Sequence, residues 1–232
     1  MKHHLALVMP VYNEQDCIRA VVQSWLDVLS SLGIDFTMLV LEGSSRDNTA
    51  GELKTFAADP RVQVVTLPKC GHGPTLVIGY RLAVEQAEWV FQCDGDNEIP
   101  ADQFPRLWEQ HDSVDAVFGV RTGRAQTLGR KLLSKCSRLT VRLLFGAAVR
   151  DVNSPYRLMR STRLAQLIPQ IPADAIAPNV IISGAFARTP SRIANVPVTH
   201  RGRTTGQVSI GGWKLCKWAF KAFWQTLRCR PK

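Results

Sequence analysis

Trp89-Val90-Phe91-Gln92-Cys93-Asp94-Gly95-Asp96-Asn97-Glu98-Ile99-Pro100 is a short apolar run that stops at two carboxylates one residue apart. Trp89–Gln92 reads as a strand, and its surroundings say which kind of sheet it joins. Leu5–Val8, Phe36–Leu41, Val62–Leu67 and Ala116–Val120 are similar runs rich in Val, Leu and Phe. Between them Gln15–Leu32, Thr49–Ala58, Pro74–Ala87 and Ala101–His111 carry helical spacing. Gly33 suits a helix stop and Pro74 a first helical turn. Strands alternating with helices of this length predict βαβ units and a mostly parallel sheet covered on both faces. Ligands of such sheets bind beyond the carboxyl ends of the strands. The loops after each strand are therefore where chemistry is expected.

The loop after the fourth strand holds Asp94 and Asp96. Paired carboxylates there suit a hard divalent cation, Mg²⁺ or Mn²⁺, which can bridge a diphosphate. Gly95 between them lets backbone approach a ligand closely. After the first strand comes Met9-Pro10-Val11-Tyr12-Asn13-Glu14, and after the second Glu42-Gly43-Ser44-Ser45-Arg46-Asp47-Asn48-Thr49, with Asp47 placed to cap the next helix. After the third, Lys69-Cys70-Gly71-His72-Gly73 runs into a helix N-terminus, a setting favourable for phosphate. A structural role for His72 alone is as good a reading as ligand contact. Four such loops on one sheet edge favour a nucleotide site.

Composition narrows the class. With 232 residues, 45% hydrophobic and 21% charged, the chain can bury a core of its own, which excludes disorder or fibrous repeats as the main theme. No apolar run reaches bilayer length. Met1 to Val11 mimics a signal peptide but contains Pro10 and leads to no small-residue cleavage site, so it reads as a buried strand. The six cysteines form no Cys-x-x-Cys pair and read as reduced thiols in a cytoplasmic setting.

The net charge of +10 is unevenly spread. Residues 1–115 hold 8 basic and 17 acidic side chains, whereas residues 116–232 hold 21 basic and only 2 acidic ones, Asp151 and Asp174. A basic half of this kind suits an anionic partner: nucleic acid, a lipid surface or phosphate groups. It contains a long helical stretch, Gln126–Val149, a strand-like Tyr156–Met159, helices near Arg163–Ile168 and Asn179–Arg188, and a strand near Ile193–Val198. Trp213–Arg228 closes the chain. On a helical wheel Lys214, Lys217, Lys221, Gln225 and Arg228 share one face, and Trp213, Phe220, Phe223, Trp224 and Leu227 occupy much of the rest. That pattern describes a basic amphipathic helix lying in a lipid interface, or one docked on its own domain through the apolar face. The expected division is one domain over residues 1–210 and this C-terminal helix over 211–232.

The ordered set Pro10-Val11-Tyr12-Asn13-Glu14, Glu42 to Thr49, Gly71-His72-Gly73 and Asp94-Gly95-Asp96 resembles glycosyltransferase family 2, in its polyprenyl-phosphate (dolichyl-phosphate mannose synthase-like) branch. The resemblance spans roughly residues 5–210. It implies a Rossmann-like GT-A fold and an inverting, metal-dependent enzyme using a nucleotide sugar, GDP- or UDP-linked. By that resemblance Asp94 and Asp96 would hold the metal and donor diphosphate, with Glu98 as a third metal-site ligand. Pro10, Tyr12, Glu14 and Glu42 would line the nucleoside pocket, with Gly71 and His72 beside the donor. Arg121, Arg130 and Ser134 resemble the branch's contacts to the acceptor phosphate. Asp151 to Arg160 resembles its Asp-then-aromatic-Arg segment, and Arg203 begins a late Arg-x-x-Gly element. Glu42 stands where Asp is usual, Lys69 where Asn is common, and Val208-Ser209 where a Ser-Lys pair is usual.

The expected function is therefore sugar transfer from a nucleotide sugar to a polyprenyl phosphate, dolichyl or undecaprenyl, by an enzyme held peripherally at the cytoplasmic face of a membrane. One alternative keeps the fold and takes a glycan or glycolipid hydroxyl as acceptor. Another is a non-catalytic anion or RNA binder. Nucleic acid is the less favoured partner, because no RNA-recognition or helix-turn-helix signature is present.

Overall fold

The computed structural model describes residues 3–123, 146, 148–201, 221, 224–225 and 228–229. Seven strands form one sheet: β1 (His3–Val11), β2 (Phe36–Glu42), β3 (Val62–Thr66), β4 (Ala87–Gln92), β5 (Ala116–Thr122), β6 (Arg157–Arg160) and β7 (Ile193–Thr199). The helices bounded among the described residues are α1 (Ile18–Ser31), α2 (Thr49–Leu53), α3 (His72–Gln86), α4 (Pro105–Trp108), α5 (Ser161–Leu167) and α6 (Pro178–Arg188), with short 3₁₀ turns between some of them. The strand order is β3-β2-β1-β4-β6-β5-β7, and only β6 runs against its neighbours.

Strand alternation divides the core in two. Leu5, Leu7 and Met9 of β1 pack with Val22, Trp25 and Leu29 of α1 on one face. Ala6 and Val8, pointing the other way, pack with Leu76, Tyr80 and Ala83 of α3 and Ile182 and Phe186 of α6 on the other. Every residue of β2 is buried, the continuous apolar run expected of a parallel strand covered on both faces. Helix α1 buries Ile18, Val21, Val22, Trp25, Leu26 and Leu29, a stripe at helical spacing. Removing the Trp25 side chain, which meets Phe91, Phe104 and Tyr156, would cost about 3–5 kcal/mol.

The strand and helix expectations place the described elements correctly, with two corrections. Thr49–Ala58 is the short α2 followed by a 3₁₀ turn at Lys54–Phe56. Ala101–His111 is not a single helix but a 3₁₀ turn at Ala101–Gln103, the short α4, and a second turn at His111–Ser113. Pro105 has no N–H to continue the ladder and so starts a new helix instead. The expected helices over 126–149 and most of 213–228, and the boundary at 210, lie outside the described residues.

The order β2-β1-β4 makes β1 and β4 the switch point, from which successive connections depart in opposite directions. Loops leaving these two strands part there and open the crevice where α/β sheets bind ligands.

Candidate active site

The crevice is built by stitching the β1 and β2 loops together. Asn13 and Ser44 sit in the left-handed region at φ 56° and 57°. The Asn13 N–H donates to Ser45 Oγ (3.0 Å), and Asn13 Oδ1 accepts the Arg46 N–H (2.8 Å). The Glu14 N–H donates to Thr49 Oγ1 at 2.9 Å, and Gln15 Oε1 accepts the Asn48 N–H at 2.8 Å. Asn48, not Asp47, occupies the N-cap of α2; Asp47 Oδ1 instead accepts the Thr49 N–H two residues on, at 3.0 Å, correcting the expected cap. Burial pushes the Asp47 carboxyl up, but hydrogen bonds from Thr49 and Gln15 outweigh it and hold the group below its ordinary range.

Glu42 is 2% exposed, and its two oxygens accept the N–H groups of Ser44 (3.2 Å) and Ser45 (2.6 Å). Its carboxylate thus shapes the turn after β2. Tyr12 is partly exposed, with Lys69 Nζ donating to its hydroxyl at 2.9 Å and lying 4.9 Å from the ring centroid. The hydrogen bond from Lys69 lowers the Tyr12 hydroxyl pKa. Gly71, at φ 93°, turns the chain into α3. His72 Nε2 then lies 3.9 Å from Asp94 Oδ1.

Asp94 and Asp96 stand beyond β4, both partly exposed. Asp96 Oδ1 accepts the Glu98 N–H at 3.1 Å, closing a turn through Asn97 at φ 56°. A Cβ on Gly95 would come within 3.0 Å of Val11 Cγ2 and 3.4 Å of Pro10 O. Gly95 is therefore packed closely against the carboxyl end of β1, leaving a side chain no room on that side. Beneath lies a buried polar network. The Gln92 Nε2 amide donates to Asp94 Oδ1 at 3.5 Å, and the Tyr80 hydroxyl lies 2.7 Å from Gln92 Oε1 and 3.0 Å from Asn179 Oδ1. The wholly buried Arg157 guanidinium donates to the carbonyls of Ser154, Asn179 and Val152, and burial lowers its pKa to about 10. Burial likewise raises the Cys93 thiol pKa, with Asp94 and Asp96 adding to the effect, so this cysteine is a core residue.

Glu98 meets a partner far along the chain. Its Oε2 lies 2.9 Å from His200 Nε2, and its carbonyl accepts the Arg201 N–H at 2.9 Å. Among the described residues no three His, Cys, Asp or Glu side chains are gathered as a ready-made cation site. Two hard carboxylates in a partly exposed crevice nonetheless fit Mg²⁺ or Mn²⁺ whose remaining ligands are phosphate oxygens and water. The pair Glu98–His200 is legible only in three dimensions, since nothing around His200 marks it in the sequence.

Arg121 does not present an open guanidinium. Its Nε and Nη2 donate to Asp151 Oδ2 (2.8 Å) and Oδ1 (2.9 Å), a bidentate pair with the Arg121 side chain 10% exposed. Arg130, Ser134 and Arg203 lie outside the described residues. Among the described residues Cys17, Cys70, Cys93 and Cys229 take part in no disulfide. Among the described residues no helix is long and apolar enough to cross a membrane.

An open, doubly wound α/β sheet with four loops gathered over an acidic switch point defines a ligand-binding protein of the nucleotide-binding type. The sequence profile of the family described as Glycosyl transferase family 2 matches residues 6–180, and the chain belongs to that family. An undecaprenyl-phosphate mannosyltransferase from Micrococcus luteus is 26% identical over 239 residues, covering 96% of this chain and 97% of that protein. An undecaprenyl-phosphate 4-deoxy-4-formamido-L-arabinose transferase from Pectobacterium atrosepticum is 25% identical over 216 residues. That match covers 91% of this chain but 64% of the relative, so the chain spans just under two thirds of its length. Among solved structures, glucosyl-3-phosphoglycerate synthase from Mycobacterium tuberculosis, in complex with Mn²⁺, uridine diphosphate and phosphoglyceric acid, matches with a TM-score of 0.71. At 18% identity, over 99% of this chain and 80% of that one, the likeness is one of fold, the GT-A architecture expected.

Proposed function

We propose that this chain transfers a sugar from a nucleotide sugar to a polyprenyl phosphate, inverting the anomeric centre. The observation that carries the reading is the placement of Asp94 and Asp96 at the carboxyl end of β4, beside the β1–β4 switch point. The match along nearly the full length of the Micrococcus luteus relative supports the acceptor class.

In this reading Tyr12 offers its ring to the base, and Lys69, already on the Tyr12 hydroxyl, places a cation at the pocket rim. Glu42 holds the turn that frames the base, and Glu14 lines the wall beside it. Asp94 and Asp96 would hold Mg²⁺ or Mn²⁺, with Glu98 next to them anchored by His200. The ion, when bound, supplies a Lewis acid that offsets charge on the departing diphosphate. The N-terminus of α3, with Gly71 and His72, turns its backbone N–H groups toward the same region. A phosphate acceptor is already ionised near neutral pH, so no strong general base is required. By the pattern of the branch Arg130 and Ser134, with Arg121, are assigned to the acceptor phosphate, and Arg203 joins Asp94 and Asp96 as a catalytic residue.

One observation favours the reading with a neutral hydroxyl acceptor: the Arg121 guanidinium is engaged by Asp151. The decisive assay is a donor screen with GDP- and UDP-sugars, with and without Mn²⁺, against a short polyprenyl phosphate and a glycolipid alcohol. Transfer to the phosphate, abolished by chelator and lowered by about 100-fold or more in Asp96→Asn, is the expected result. Transfer indifferent to both would remove the metal assignment, and transfer to the alcohol alone would replace the acceptor.

A further inference from the structure

The single buried polar residue of β4 is Gln92. Alternation turns Trp89 and Phe91 to the face covered by α1 and Val90 to the face covered by α3 and α6, so Gln92 follows Val90. An apolar side chain would fill that position without cost, whereas a buried amide loses its water and must find partners. Gln92 finds two. Its Oε1 accepts the Tyr80 hydroxyl at 2.7 Å, and its Nε2 donates to Asp94 Oδ1 at 3.5 Å. The Tyr80 hydroxyl is held on its other side by Asn179 Oδ1 at 3.0 Å. The Asn179 carbonyl in turn accepts Nη1 of the wholly buried Arg157 at 3.0 Å. A chain of buried polar groups therefore runs from Arg157 through α6, α3 and β4 to one oxygen of Asp94. His72 Nε2 faces the same oxygen at 3.9 Å, but its side chain is 54% exposed, so the buried amide is the better fixed of the two.

We propose that Gln92, fixed in turn by Tyr80, is a positioning residue that sets the Asp94 carboxylate for a divalent cation. Three features support the role. The amide cannot turn over, because its oxygen is taken by Tyr80 and the reverse orientation would set that oxygen against a carboxylate. Cys93, between the two residues, still donates its N–H to Val8 O at 3.2 Å, so strand geometry carries as far as the carboxylate. Arg157 is the register partner of Gln92 on β6, so both ends of the chain rest on one rung of the sheet. Carboxylates that ligate metals are commonly held from behind by such bonds, and losing one lowers metal affinity about 10–100-fold. At 3.5 Å the amide–carboxylate contact is long, as positioning bonds commonly are before a ligand is bound. The role deepens the proposed function and rests on it for the cation.

The test is titration of the full chain with Mn²⁺, read by loss of the free-ion EPR signal, alone and with UDP or GDP present. Gln92→Met, which keeps the volume and removes both bonds, is expected to bind Mn²⁺ about tenfold or more weaker than wild type. Tyr80→Phe, which loses a single oxygen, is expected to bind it several-fold weaker. In the Gln92→Met background Tyr80→Phe should change nothing further, since Tyr80 acts through the amide. Leu29→Ala opens a cavity in the core on the opposite face of the sheet. It should lower the melting temperature and leave Mn²⁺ affinity at the wild-type value. Unchanged affinity in Gln92→Met, or in Tyr80→Phe should the first variant not fold, would overturn the proposal. So would fully additive losses, or an equal loss in Leu29→Ala, because affinity would then follow stability. Wild type that binds no Mn²⁺ would remove both the metal assignment and this role. Gln92-dependent Mn²⁺ binding without any sugar transfer would leave the role standing and remove the proposed function.

Discussion

Gly73→Ala tests how tightly the donor crevice depends on packing behind it. Gly73 is the second residue of α3, and a Cβ there would overlap Ala175 O while lying 2.8 Å from Ile176 O and 3.0 Å from Ile176 C. All three are backbone atoms, so no rotamer change relieves the clash. Ordinary carbon–oxygen contacts are about 3.3–3.6 Å, so α3 and the 172–177 loop must part by roughly 1 Å. Overpacking of this kind costs about 1–3 kcal/mol, and a backbone obstacle belongs at the upper end. For a chain of this size that is a fall in melting temperature of roughly 6–12 °C. The same displacement moves His72, the adjacent residue, whose Nε2 stands 3.9 Å from Asp94 Oδ1. A shift of that size at a binding site is expected to raise the KM for the nucleotide sugar about tenfold or more.

Gly79→Ala is the control. A Cβ there would overlap Leu41 Cδ1 and lie 2.6 Å from Val8 Cγ1, side-chain atoms in the middle of the sheet. It should destabilise by about 1–3 kcal/mol yet leave donor KM unchanged. Calorimetric melts and steady-state kinetics on the three proteins decide the matter. A Gly73→Ala protein melting within about 1 °C of wild type with unaltered KM would refute the reasoning. So would equal KM increases in both variants, because the loss would then follow stability and not position.

Glu42→Gln places an amide N–H where a carboxylate oxygen now accepts from Ser44 or Ser45, which costs about 1–3 kcal/mol and should lower the melting temperature by roughly 5 °C. An unchanged melt would show that the carboxylate does not hold this turn. Asp47 sets an acid limb. Its carboxyl titrates lower in the folded protein than in the unfolded chain, so its contribution is complete above the unfolded value of about 3.9 and is lost as pH falls through the folded one. Between about pH 5 and about pH 3 the urea midpoint of wild type should therefore fall more steeply than that of Asp47→Asn, and parallel slopes would contradict the assignment.

Local pattern reached far in this protein because each strand of a two-sided sheet must be apolar throughout and each covering helix apolar on one stripe. Hence β2 and α1 were legible as runs and stripes, and the loops after β1 to β4 followed from topology. Ala101–His111 misled because its periodicity is real while Pro105 interrupts its hydrogen bonds. The paired carboxylates after β4 were visible as a motif. The neighbours that decide what each carboxylate does were not: His200 is 102 residues from Glu98, and Asp151 is 30 from Arg121.

The sequence by itself determined the mostly parallel two-sided sheet, the acidic centre of the crevice and the excess of base in the second half, which are properties of periodicity, order and composition, and its ordered motifs carried the resemblance to the family. Tertiary structure alone decided that Arg121 is spent on Asp151, that Gly95 packs against the end of β1, and that Gln225 reaches Asp174 and Ile176. Those outcomes depend on which charges and hydrogen-bonding groups the chain brings within about 3 Å of one another, where such groups must find partners once removed from water. Spacing along the sequence does not encode that choice.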